Sequence, residues 1–178
     1  STFHRVLAQS GIPVQSAQGS GFFTSLEVTA AVNLLSLIDN PHADVPLISV
    51  LRSPVYGFSG DELSAVRAQK RDCDFYTALC AAAENGNERC QAVLRQLDHW
   101  RAIAPDTELD ALVWRVCSET QLFAICAAMT DGEVRRKNLM QLFEYARSFG
   151  EGGYRSVGRF VRYLRTLAEK GMEPERAP

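Results

Sequence analysis

The chain has 178 residues, of which 46% are apolar and 22% charged, so it is long enough to bury a core of ordinary size. Its formal net charge of −2 excludes wholesale electrostatic attraction to nucleic acid and leaves only local basic faces to consider. No apolar run is long enough to cross a bilayer and no signal-peptide pattern opens the chain, so no membrane contact is expected; the chain is expected to be monomeric and, from its cysteine usage, cytoplasmic.

Thr2 to Ser10 predicts a short helix closed by Gly11. Ile12-Pro13-Val14 predicts a brief extended piece, and Gln15 to Gly21 a loop. Thr24 with Glu27 has capping-box spacing, and the long helix after it is apolar around most of its circumference, with Thr29, Asn33 and Ser36 as a narrow polar stripe. Such a helix is expected at the centre of the core. Asp39-Asn40-Pro41 ends it. Asp44 is the expected cap of Val45 to Leu51, with Pro46 in its first turn.

Ser53-Pro54-Val55-Tyr56-Gly57-Phe58 follows as a connection, and Ser59 with Glu62 forms a second capping box for Asp61 to Lys70. Asp72 or Asp74 caps Phe75 to Ala83, and Asn87 caps a helix running to Ile103. Thr107 and Asp110 cap Leu109 to Ser118. Gln121 to Met129 is a short helix. Glu133 to Phe149 is closed by Gly150. Ser156 caps Val157 to Lys170, stopped by Gly171, and Met172 to Pro178 is an expected disordered tail. The class is all-α, an irregular orthogonal bundle of about nine or ten helices.

The five cysteines include no CxxC pair, and His4, His42 and His99 lack ligand spacing, so reduced thiols and no metal site are expected. No GxxxxGK[ST], HExxH or GxSxG is present. Asp61 and Glu62 are carboxylates in a helix first turn, where the macrodipole accounts for them. No catalytic residue is expected in this chain.

Three stretches carry candidate chemistry. Arg52, Ser53, Tyr56, Gly57, Phe58 and Ser59 combine a cation, aromatics, a glycine that permits close backbone approach and a helix start, which suits a non-specific grip on a nucleic-acid backbone. A plain helix connection with Tyr56 and Phe58 in the core fits the same residues. Arg135, Arg136 and Lys137 oppose the dipole of the helix they open, which points to phosphate or an acidic partner; a solvated face is the alternative. Arg155, Arg159, Arg162 and Arg165 form a stripe on the last helix, facing an acidic protein surface, phosphates or water.

Several motifs resemble the UvrD/RecB-like superfamily 1 helicases, in particular their helicase–nuclease branch. They are Gly11-Ile12-Pro13-Val14, Gly21-Phe22-Phe23, Glu27-Val28, Leu37-Ile38-Asp39-Asn40-Pro41, Leu51-Arg52-Ser53-Pro54, Gly57-Phe58 and Asp61-Glu62-Leu63. Gly132-Glu133, Arg135, Asn138-Leu139, Leu142 and Ala146 extend the likeness, as does Phe160 to Leu167. The resemblance implies a helical 2B-type accessory subdomain over residues 22–171, with 1–21 left from the motor side, and fits a chain that opens on Ser1 as an excised piece. It implies ATP and Mg, a nuclease centre and an iron–sulfur cluster elsewhere in a longer parent, and none of these in this chain. The implied partners are non-specific duplex DNA, through the Arg52–Ser59 turn, and a nuclease partner protein, through the Arg155–Arg165 stripe. Where relatives have Gly-Ile-Gly, this chain has Gly57-Phe58-Ser59.

Overall fold

The computed structural model describes residues 21–153 and 155–171. The helix, extended piece and tail expected at the two ends lie outside them, as does the expected loop up to residue 20, whereas Gly21, its last residue, is helical. Among the described residues every regular element is helical: α1 Leu26–Asp39, α2 Asp44–Arg52, α3 Gly60–Gln69, α4 Phe75–Glu84, α5 Glu88–Ile103, a 3-10 turn Ala104–Asp106, α6 Leu109–Glu119, α7 Leu122–Ala127, α8 Gly132–Glu151 and α9 Val157–Glu169. Residues 21–24, ahead of α1, are helical as well.

The central place of α1 follows from its composition. Val28, Ala30, Ala31, Leu34, Leu35, Leu37 and Ile38 are all buried, so apolar residues leave little of the helix for water. Helices α2, α8, α9, α6 and α5 pack around it, while α3 with α4, and α4 with α5, extend the bundle on one side. Trp100, Phe160, Leu51, Leu79, Leu112 and Leu142 are among the fully enclosed side chains. Each large apolar side chain buried this way contributes about 2 kcal/mol.

Several expected caps hold. Ser59 and Glu62 form the reciprocal box at α3, Asp74 accepts from the Thr77 N–H at α4, Asn87 from the Cys90 N–H at α5, and Ser156 from the Arg159 N–H at α9. Gly171 follows α9 with φ +65°, the left-handed stop expected of it.

Others do not hold, each for a tertiary reason. The N-cap of α1 is Ser25, without a side-chain cap bond, and Glu27 leaves the helix end to bond α8. Asp44 lies inside α2, and its carboxylate accepts instead from the Phe75 N–H at the start of α4. At α6 the Thr107 hydroxyl turns back to donate to the Ile103 carbonyl, leaving Glu108 as N-cap. Gly150 does not end α8, which runs on to Glu151.

Helix α8 begins under tight constraint. Asp131 has φ +58°, and a Cβ on Gly132 would stand 2.8 Å from the Cys126 carbonyl oxygen and 3.0 Å from that of Ala127. Glycine is required there by backbone contact with α7, since carbonyls locked in a helix cannot retreat.

Candidate nucleic-acid interface

The turn between α2 and α3 is built by its own backbone. The Ser53 hydroxyl donates to the Val50 carbonyl at 2.7 Å and accepts from the Val55 N–H at 3.2 Å. Gly57 N–H donates to the Ser53 carbonyl and Phe58 N–H to the Leu51 carbonyl, both at 2.7 Å. Gly57 takes φ +64°, a conformation that disfavours a side chain, and nothing lies within 4 Å of where a Cβ would point. Its backbone is therefore open to approach from solvent.

The two aromatics of the turn face inward. Phe58 is 4% exposed. The Tyr56 hydroxyl donates to Gln96 Oε1 at 2.6 Å, and burial pushes its pKa well above the ordinary tyrosine value. Arg52, Gly57 and Ser59 remain on the surface. Arg52 has no side-chain partner among the described residues, and its Nη1 would stand 3.8 Å from a Cβ placed on Gly60. Its charge thus lies over the first turn of α3. The Ser59 hydroxyl is occupied by the Glu62 N–H at 3.1 Å, and its own N–H donates to Glu62 Oε1 at 3.1 Å.

A second cation reaches this turn from α5. The Arg89 guanidinium lies over the Phe58 ring, 4.4 Å from its centroid, donates to the Tyr56 carbonyl and pairs with the Glu62 carboxylate. The Ser59 N–H first, and then Arg89, hold the Glu62 carboxyl below its ordinary range. No local pattern around Arg89 marks it. Only the packing of α5 against the turn brings it there, across a separation of 33 residues from Tyr56.

The basic start of α8 divides in two. Arg135 turns inward: Nη1 donates to Glu27 Oε1 at 2.8 Å and Nε to the Thr130 carbonyl at 3.0 Å. Asn138 donates to the other oxygen of Glu27 at 2.9 Å. Glu27 is 1% exposed. Burial alone raises its pKa, but bonds from Asn138, its own backbone and Arg135 outweigh that and leave the carboxyl below the ordinary value. Arg136 and Lys137 remain exposed, without partners among the described residues.

The α9 stripe also separates. Arg155 pairs with Glu108, and Arg165 donates to the Ser36 hydroxyl at 3.2 Å. Arg159 and Arg162 are exposed, and their guanidinium groups have no partner among the described residues. The three expected sets therefore stand on three separate elements, and each contributes one or two free cations. Among the described residues no group of His, Cys, Asp or Glu is arranged to hold a metal, and no helix is long and apolar enough to cross a membrane.

These features define an all-helical module with isolated surface arginines and an open glycine turn beside one of them. No protein-family model matches the chain. The chain is homologous to one segment of AddA, the larger family of ATP-dependent helicase/nuclease chains that its relatives represent. It is 38% identical to the Leuconostoc mesenteroides helicase/nuclease chain over 161 residues, covering 90% of this chain and 13% of the relative. It is 34% identical to that of Geobacillus kaustophilus over 174 residues, covering 93% and 14%. It is 36% identical to that of Desulforudis audaxviator over 181 residues, covering 99% and 15%. The chain thus spans about one seventh of the length of the curated relatives it matches. The likeness to helicase–nucleases expected from the motifs holds over nearly the whole chain.

Proposed function

We propose that this chain is a 2B-type accessory subdomain of an ATP-dependent DNA helicase–nuclease that acts in double-strand break repair, and that it holds duplex DNA by its backbone. In this reading it performs no chemistry of its own. ATP with Mg, the nuclease centre and any iron–sulfur cluster belong to the rest of a cytoplasmic parent, whose companion is an AddB-like nuclease. The homology to the AddA helicase/nuclease is the observation that carries the reading. The open space at Gly57 and the nearby Arg52, exposed and without a side-chain partner among the described residues, support the α2–α3 turn as the place of contact.

The turn grips without reading sequence. Arg52 can meet a phosphate oxygen, with Gly57 bearing no side chain to hold the strand off, while Phe58 is buried and Tyr56 packs half-buried against the core with its hydroxyl on Gln96, so neither offers a ring to a base. Ser53 shapes the turn, and Ser59 holds the start of α3. Arg136 and Lys137 supply two further cations for the same kind of contact, with Arg135 fixing the helix that bears them. Binding is then weak and falls steeply with salt, by about −0.9 in log–log slope for each phosphate neutralised. The test is titration of labelled duplex at two salt concentrations with wild type and Arg52→Ala. Wild type binds at low salt and the variant shows a shallower slope; absence of binding at low salt removes the DNA role.

A second reading is favoured by one observation: Arg159 and Arg162 stand exposed on α9, their guanidinium groups without a partner among the described residues. They would dock an acidic surface of the nuclease partner, with Arg155 and Arg165 at either side of them. Charge reversal at Arg159 and Arg162 then abolishes capture of that partner, and unchanged capture refutes the docking.

A further inference from the structure

Arg89 is held on three sides and is still 47% exposed. Phe58 supports its face at 4.4 Å, the Tyr56 carbonyl takes one amino group, and the Glu62 carboxylate, itself 39% exposed, takes the other. We propose that Arg89 contacts a backbone phosphate of duplex DNA lying across the Gly57 turn, and that Glu62 occupies that phosphate's place in the free protein. This inference rests on the duplex-binding reading above and deepens it.

The geometry argues for a contact and against a mere brace. A guanidinium stacked on a ring and tied to a carbonyl has already given up most of its rotamer freedom, so little more is lost when an anion binds. Arg52 lacks any such support. A carboxylate and a phosphodiester are both monoanions with terminal oxygens, so the Arg89 Nη1 that donates to one Glu62 oxygen can donate to a phosphate oxygen in its place. Glu62 can swing into water because more than a third of its side chain is already there. Gly57, next to the Tyr56 carbonyl that Arg89 holds, leaves room for a phosphate to approach.

The test is fluorescence anisotropy of a short labelled mixed-sequence duplex, at several salt concentrations, with wild type, Glu62→Gln, Arg89→Ala, Arg89→Lys and Arg52→Ala. Glu62→Gln removes the competing charge while its amide oxygen can still accept from the Ser59 N–H, and it tightens binding on the order of threefold. Arg89→Ala weakens binding on the order of tenfold and makes the salt slope shallower by about 0.9. Arg89→Lys falls between, keeping charge without the planar fork. A purely structural role predicts no tightening for Glu62→Gln, since the amide keeps the cap bond from the Ser59 N–H. The proposal is overturned if Glu62→Gln fails to tighten binding, or if Arg89→Ala keeps the wild-type slope. If in that case Arg52→Ala alone flattens the slope, the turn still grips DNA and only the role of Arg89 falls. A wild-type protein that binds no duplex overturns both. Should Arg89→Ala fail to fold by circular dichroism, Glu62→Gln and Arg89→Lys decide the matter.

Discussion

Glu27→Ala tests whether the buried ion pair is what ties α1 to α8. The carboxylate is 1% exposed and takes charged or polar donors from Arg135 at 2.8 Å and Asn138 at 2.9 Å, 108 and 111 residues away. Removing one member of a buried pair costs about 3–5 kcal/mol, because the other charge stays behind. Here the lower end applies. Arg135 keeps 26% side-chain exposure and its bond to the Thr130 carbonyl, so water can reach the abandoned charge. A loss of about 3 kcal/mol lowers the Tm of a chain this size by about 8 °C. Thermal and urea unfolding by circular dichroism measure it.

The double variant Glu27→Leu with Arg135→Met restores much of the loss, since an apolar pair carries no desolvation cost. The pH dependence follows from the sign of the shift. The folded carboxyl titrates below the ordinary 4.5, so its contribution is fully present above that value and is lost as pH falls through the folded one. A Glu27→Ala protein within about 0.5 kcal/mol of wild type, the range of neutral surface changes, refutes the reasoning.

Gly132→Ala gains about 1 kcal/mol of helix propensity but drives a methyl against two α7 carbonyls at 2.8 and 3.0 Å, so a net loss of about 2 kcal/mol is expected in urea unfolding. With a thiol reagent the native protein labels at Cys73 and Cys80, whereas Cys90, Cys117 and Cys126 react only after denaturation. Burial raises the Cys117 thiol to about 12 and the Cys126 thiol to about 11, which removes the reactive thiolate as well as access. Tyr56→Phe deletes the bond to Gln96 and costs about 1 kcal/mol; in wild type, absorbance titration is expected to find Tyr56 still protonated at the ordinary tyrosine pKa of 10.0.

Local signals were readable where a cap is satisfied within its own helix turn. Ser59 with Glu62, Asp74, Asn87 and Ser156 all form as their spacing predicts, because the donor and acceptor lie three residues apart. Glu27, Asp44 and Thr107 carry the same local signal and do otherwise. Each found a partner brought by folding or by a neighbouring turn: Arg135, the Phe75 N–H and the Ile103 carbonyl. The candidate turn was legible in the same measure. Its position and its glycine follow from sequence, whereas the inward aim of Tyr56 and Phe58 and the arrival of Arg89 depend on α5.

Sequence by itself determined that this protein is a bundle of helices with α1 at its centre. The reason is that apolar periodicity and capping chemistry act over a few residues and need no partner from afar. It also determined the kinship to helicase–nucleases, carried by short motifs around α1 and α2. Tertiary structure alone decided which charges are free. The run Arg135-Arg136-Lys137 reads as one basic patch, yet one member lies in a buried pair and two face water. A charge seeks the nearest opposite charge in space, and for Arg135 and Arg89 that neighbour stands 108 and 27 residues away along the chain.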